Sequence, residues 1–208
     1  MSPTNKNGNN GHQRRLHNGR WLFASNFFKH PGMLGSIIPS SRFLVERLLS
    51  PVDWSRARVV VEYGPGVGTV TRALLERMPA DGRLLAIELN ADFADYLRRE
   101  IRDPRLTVVQ GSAADLGAEL DQLGWPAADY AVSGIPFSTM PEGIRDSILR
   151  ATREHLQPDG EFLVFQFSDR VRRHLERTFP EVEREFEVRN FLPAHCYRCR
   201  REGVGVSG

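Results

Sequence analysis

The chain has 208 residues, 40% hydrophobic and 26% charged, with a formal net charge of +2. That length can bury a full core and the composition is ordinary for a soluble globule. No apolar run approaches the roughly 18 residues a membrane span needs. The Asn- and Gly-rich segment Met1–Gln13 has no apolar centre, which excludes a secretory signal and reads as a disordered tail on a cytoplasmic protein. The charge is uneven: residues 1–50 hold seven Lys/Arg against Glu46 alone, or +6, which leaves −4 for the remainder. A basic arm on a mildly acidic domain suggests a negatively charged partner.

In chain order, the first patterned segment is Arg14 to His30. On a helical wheel of about 100° per residue, Leu16, Trp21, Phe23, Ala24, Phe27 and Phe28 share one arc. Arg14, Arg15, Asn18, Ser25, Asn26 and Lys29 fall opposite, while Leu22 and Arg20 break the pattern and Gly19 weakens the helix. Aromatic residues facing basic ones describe a helix in a membrane interface, with Arg15, Trp21, Phe23, Phe27, Phe28 and Lys29 as its contacts. A helix docked on the domain with its aromatics in the core fits the same residues, and so does a nucleic-acid arm that stacks bases. Ser40 or Ser41 can then cap a helix over Arg42–Leu49 that stops at Ser50-Pro51.

Val59-Val60-Val61 predicts a buried strand closed by the acidic Glu62, followed by a glycine-rich turn through Gly64, Gly66 and Gly68 and a helix whose inner face carries Val70, Leu74 and Met78. A strand, a glycine turn and a helix N-terminus together make a nucleotide-type pocket. Arg83–Glu88 predicts a second strand whose terminal carboxylate, 20 residues past Gly68, can bind a ribose diol. Glu62 argues against a dinucleotide, because a carboxylate there repels a pyrophosphate and attracts a cationic sulfonium or amino group. The run Leu106–Asp115 predicts a third strand, a small-residue turn and another acid; the turn can lie against an adenine with Asp115 reaching its amino group.

The alternation continues. Phe93, Tyr96, Leu97 and Ile101 predict a helix face; Ala128–Ser133 a fourth strand; Ile144, Ile148, Ala151 and His155 a helix ended by Pro158-Asp159-Gly160. Glu161–Phe167 predicts an apolar fifth strand, Val171, Leu175 and Phe179 a helix face, and Val182–Val188 an edge or antiparallel strand. Ala194–Arg200 predicts a seventh strand. Strands alternating with helices mean an α/β, mostly parallel sheet with helices on both faces. Boundaries fall at 1–13 for the tail, 14–50 for the arm and pre-core helix, and 51–208 for the core. Cys196 and Cys199 have no second pair to complete a zinc site. On a strand, residues three apart point to opposite faces, which predicts two reduced thiols, one inward and one outward.

The ordered motifs Glu62–Gly68, Glu88 and Ser112–Asp115 make the chain resemble the class I S-adenosylmethionine-dependent methyltransferases, over roughly residues 35 to 200. The resemblance implies a Rossmann-like core. It implies that Glu62 and Tyr63 lie near the methionine amino group and that Gly64, Gly66 and Gly68 pack beside the cofactor. Glu88 and Leu89 would meet the ribose, and Ser112, Ala113 and Asp115 the adenine. Ser133 closes the pocket, and Ser40 is a further possible contact.

Chemistry is then expected at the end of the fourth strand, in Ser133-Gly134-Ile135-Pro136-Phe137. Adenine amino-methyltransferases carry Asn or Asp at the first position of a four-residue motif ending in Pro and an aromatic. Gly134 offers no such side chain, which argues against rRNA adenine dimethylation. The chain looks instead like the bacterial phospholipid N-methyltransferases related to those dimethylases, which convert phosphatidylethanolamine to phosphatidylcholine. The likeness rests on the basic aromatic arm, Gly35–Ser41, the glycine loop, Ser133–Pro136 and the closing Pro193-Ala194 with Tyr197 and Arg198. It implies a phospholipid substrate, an anionic membrane surface at the inner face and no nucleic acid. Gly134, Ile135, Phe137, Tyr197, Arg198 and Arg200 would face the substrate, with Tyr63, Glu62 or a histidine taking the proton. An RNA or small-molecule methyltransferase, or a non-catalytic binding protein with the same pocket, are the competing readings.

Overall fold

In the computed structural model the chain divides into two units, Met1–Leu34 and Gly35–Gly208. The structure describes residues 42–189 and 193–202, all within the second. The expected arm helix and the caps at Ser40 or Ser41 lie outside the described residues.

Helix α1 (Arg42–Leu49) precedes strand β1 (Val59–Tyr63), helix α2 (Thr69–Arg77), β2 (Arg83–Glu88), α3 (Ala91–Glu100) and β3 (Leu106–Gln110). Then come α4 (Leu116–Leu123), β4 (Ala128–Ser133), α5 (Glu142–Glu154), β5 (Leu156–Gln166), α6 (Arg172–Thr178), β6 (Glu181–Glu187) and β7 (Ala194–Arg200). The strands form one sheet in the order β3-β2-β1-β4-β5-β7-β6. β1 to β5 run parallel, and β7 pairs antiparallel with both β5 and β6. Order reverses between β1 and β4, so the crevice beyond the carboxyl ends of these two strands is the switch point where open α/β sheets bind ligands.

Each face of the sheet carries its own core. Val60, Val132 and Leu163 face α1 and α2, meeting Leu44, Leu48, Val70 and Leu74. Val61, Tyr63, Ala131 and Phe162 face the other way, toward Leu116, Leu120, Ile148, Leu149 and Leu175. Burial on both faces explains why β1 reads as a continuous β-branched run rather than an alternation. Arg105 bolts the carboxyl end of α2 to β3: its guanidinium donates to the Leu75 and Met78 carbonyls at 2.7 and 2.9 Å while pairing with Asp103. Among the described residues no helix is long and apolar enough to cross a membrane.

Two expectations are corrected. β5 begins at Leu156 rather than Glu161, and the Pro158-Asp159-Gly160 segment lies inside it. Proline cannot donate to a ladder, and the pairing with β4 is irregular there, stepping from Ala128 with Leu156 to Tyr130 with Glu161. The thiols do point to opposite faces, but both are buried, Cys199 in one core and Cys196 in the other. Burial raises both, Cys196 to about 12, so thiolate is scarce near neutral pH. A disulfide-exchange reagent should therefore label neither thiol in the folded protein and both in denaturant. Rapid native labelling of Cys196 would contradict its position under α1.

Candidate active site

The register of the sheet gathers the predicted motifs at one edge. Tyr63 pairs with Ile87 and with Ser133, and Glu88 with Gln110, so the loops after β1, β2, β3 and β4 open side by side. The turn Gly64–Gly68 has positive φ at Gly64, Gly66 and Gly68, a region that costs an L side chain about 1–2 kcal/mol. A Cβ on Gly64 would lie 2.5 Å from Ile135, and one on Gly68 2.7 Å from Ile101. Gly66 is different: a Cβ there meets nothing within 4 Å, so its backbone borders open space.

Glu88 is 2% exposed. Its carboxylate accepts from Gly66 N at 3.0 Å and Asn90 N at 2.9 Å, and burial raises its pKa. Each oxygen keeps a lone pair that can take a hydroxyl of a ribose lying in the open space at Gly66. Because successive residues on a strand face opposite ways, Glu62 points under α2, where the Thr71 hydroxyl donates to it at 2.6 Å. Burial pushes the Glu62 carboxyl up to about 8, with Thr71 opposing and the nearby Glu88 adding to the rise. A cation brought beside Glu62 and Glu88 would restore the ionised form, so the pair fits a cationic nucleoside.

A pH signature follows. Between the ordinary carboxylate value of 4.5 and about 8, the folded chain holds a proton on Glu62 that the unfolded chain has lost. Stability contributed by this group is therefore lost as pH rises through that window, and affinity for a cationic ligand rises over the same range. Thermal melts and calorimetry from pH 6 to 8.5 should show both slopes, and Glu62→Gln should flatten them. Parallel slopes in the two proteins would place the titration elsewhere.

The structure brings some predicted residues into this crevice and removes others. Leu89 is exposed beside the end of β2. Ser112 caps the turn Ala113–Asp115 by accepting from Ala114 N at 3.2 Å, with Ala113 buried and Asp115 exposed. Ser133 is enclosed, and its hydroxyl accepts from Ile135 N at 3.3 Å, which makes it a turn residue. Tyr63 is not placed to take a substrate proton or hold a cation. Its ring is buried in the core against Phe162, its hydroxyl contacts Thr152 at 3.0 Å, and burial raises its pKa. Phe137 is likewise fully buried, edge-on to Phe162, and cannot stack on a substrate.

Arg198 and Arg200 are also corrected. Arg198 makes a two-pronged pair with Glu161 at 2.7 and 2.6 Å, and Arg200 pairs with Glu181 and Glu183. Arg200 sits opposite Glu161, at the edge of the sheet away from the crevice. Tyr197 is 1% exposed between these strands.

Two residues that the sequence did not single out shape the turn after β4. Gln166 donates from Nε2 to the Ile135 carbonyl at 2.7 Å, pinning the Gly134–Ile135 turn. The Phe165 ring occupies the place where a side chain at Gly134 would begin: a Cβ there would lie 2.6 Å from it. Phe165 packs edge-to-face on the more exposed Phe167, with ring centroids 6.0 Å apart. Their place at the end of the apolar fifth strand was the available signal.

The sheet order, the glycine loop after β1 and the buried carboxylates at the ends of β1 and β2 define a nucleoside-binding protein with a Rossmann-like core. Residues 60–160 match the family described as Methyltransferase domain. An ornithine lipid N-methyltransferase of Singulisphaera acidiphila is 36% identical over 182 residues, covering 86% of this chain and 95% of that protein. A ribosomal RNA small subunit methyltransferase A of Thiobacillus denitrificans is 34% identical over 52% of this chain and 38% of its own length. Among solved structures, a precorrin-6y C5,15-methyltransferase of Geobacter metallireducens aligns with a TM-score of 0.60 at 20% identity, covering 75% of this chain and 86% of that one. The chain belongs to the S-adenosylmethionine-dependent methyltransferases. Its cofactor is S-adenosylmethionine, and the residues present fit a cationic nucleoside: the buried carboxylates of Glu62 and Glu88 beside the bare backbone of Gly66.

Proposed function

We propose that this enzyme methylates the amine of a zwitterionic membrane lipid, phosphatidylethanolamine toward phosphatidylcholine being the first candidate and an ornithine-type lipid the second. The observation that carries the reading is the relative that matches nearly end to end and is named for a lipid amine. The acceptor turn supports it, since Gly134 backed by Phe165 offers an aromatic wall instead of the amide that grips an adenine.

When bound, the cofactor supplies a methyl group already activated on its sulfonium. The chain's task is to hold an amine lone pair in line with that carbon. Gln166 and Ser133 fix the Gly134–Ile135 turn that borders the acceptor. A primary ammonium has a pKa of roughly 10 and must shed its proton first. Desolvation beside Phe165 and Phe167 lowers that pKa and favours the neutral amine. The same rings attract the methylated cation as it forms. The segment 14–30, with its aromatic residues on one arc and its basic residues opposite, would carry the enzyme to the inner surface of the membrane.

The test is to incubate the protein with methyl-labelled cofactor and phosphatidylethanolamine, an ornithine lipid or small-subunit rRNA, and to separate the products. Label in a lipid is expected. Label in RNA alone would overturn the reading. Sedimentation with anionic liposomes should fall when Trp21 and Phe27 are both changed to alanine; unchanged sedimentation would remove the arm from membrane binding.

A further inference from the structure

Beside the carboxyl ends of β4 and β5 lies a second concavity, a groove of about 610 Å³. Arg145, Arg170, Arg172, Arg173 and His174 line it together with Ser138 and the carboxylates of Asp169 and Glu176. Ser138 belongs to the turn that follows the Gly134–Phe137 motif, and Asp169 and Arg170 to the turn that follows Phe167. These two turns pack against each other, so the groove adjoins the acceptor turn.

Two of the arginines here are less fully engaged than Arg198 and Arg200: Arg145 at its Nε, and Arg170. Arg145 is 7% exposed, yet its Nε has no hydrogen-bond partner. Its nearest carboxylates, on Asp146 and Glu142, stand off at 3.4 and 3.6 Å. A buried guanidinium donor without an acceptor is costly, and an incoming anionic oxygen removes that cost. Arg173 donates to His174 Nε2 at 3.1 Å. His174 is buried and its pKa is lowered, by burial first and then by Arg145, so it stays neutral and can accept. Arg172 is engaged by Glu176 at 2.6 Å, while the Arg170 side chain makes no ion pair among the described residues. The lining itself holds four arginines against Asp169 and Glu176, while Asp146 and Glu142 pair with Arg145 from beside it. A planar guanidinium with two free N–H groups matches a carboxylate or phosphodiester.

We propose that this groove binds the anionic half of the acceptor, its phosphodiester or carboxylate, while the amine of the same headgroup enters at Gly134–Ile135. The proposal rests on the lipid-amine reading above and supplies the anion site that Arg198 and Arg200 do not provide. An RNA strand is a poorer match, because Asp169 and Glu176 interrupt the basic surface and the unspent donor of Arg145 lies in a single recess.

Two measurements on the full chain test it. In neutral detergent micelles, methyl transfer is measured to phosphatidylethanolamine, to an ornithine lipid and to octadecylamine, which has no anion. The double variant R170A/R173A, changed at two exposed positions, should raise KM for the zwitterionic lipids about tenfold or more. KM for octadecylamine should stay within about twofold. Equal effects on all three acceptors, or an effect on RNA transfer alone, would overturn the proposal.

The second measurement needs no turnover. Millimolar inorganic phosphate or acetate is titrated into nitrogen-15-labelled protein, and the Arg145 Nε–H resonance is followed, identified by its loss in Arg145→Lys. A saturable shift supports the groove, and the tighter of the two anions tells phosphodiester from carboxylate. No shift overturns it. A shift without transfer to any lipid would keep the groove and remove the lipid-methylation reading.

Discussion

Replacing Glu88 by alanine is expected to weaken S-adenosylmethionine binding by roughly 100-fold and to destabilise the empty protein as well. The binding loss follows from two hydroxyl-to-carboxylate hydrogen bonds, each about 1.5 kcal/mol, with about 1.4 kcal/mol per factor of ten. The stability loss has a separate origin. The carboxylate accepts the Gly66 and Asn90 N–H groups at 3.0 and 2.9 Å, so alanine strips both the glycine turn and the start of α3 of an acceptor. One or both donors would then be left short of a partner, at about 1–3 kcal/mol each. Glu88→Gln should fall between, because its amide oxygen can serve one of the two donors but its NH2 opposes the other. Calorimetric titration with the cofactor measures the first effect and thermal melts of the free protein the second. Wild-type affinity in Glu88→Ala would remove this residue from the nucleoside site altogether.

The second large effect is expected at Gly134. Asparagine there is the residue adenine amino-methyltransferases carry, yet it should not make this enzyme act on adenine. Its Cβ would lie 2.6 and 2.7 Å from two carbons of the Phe165 ring, and Phe165 is held between the core and Phe167. Overpacking of this kind costs about 1–3 kcal/mol, and moving the ring displaces the wall on which an amine would rest. Gly134→Asn should therefore lose most lipid methylation and melt several degrees lower, with no label gained by RNA. Adding Phe165→Ala should recover the melting temperature without recovering the lipid reaction. If Gly134→Asn alone kept full lipid activity, the ring would have no part in the acceptor site.

The strands β2, β4 and β7 were legible in the sequence to the residue, and β1 to within one. Their apolar runs are bounded by glycine, proline or charge, and those signals are local. Glu62, Glu88 and the glycine loop were legible for the same reason: strand ends and turns position them, and both are written in contiguous residues. The aromatic assignments failed because they needed facing as well as spacing. Tyr63 follows Glu62 on one strand, so the two must point to opposite faces, and only one can border the ligand. Arg198 and Arg200 failed because their carboxylate partners come from β5 and β6 through antiparallel pairing, which no local pattern announces. Gln166 gripping the Ile135 carbonyl spans 31 residues and was invisible for the same reason.

The position of β7 has a bearing on how the molecule is made. Among the described strands it comes last in the chain, yet it slots between two strands completed earlier. Until it emerges from the ribosome, β5 presents an open backbone edge and β6 has no neighbour to pair with. A nascent chain halted before residue 194 would thus expose a ready template for pairing with other chains, and chaperone capture should concentrate on stalled chains of that length.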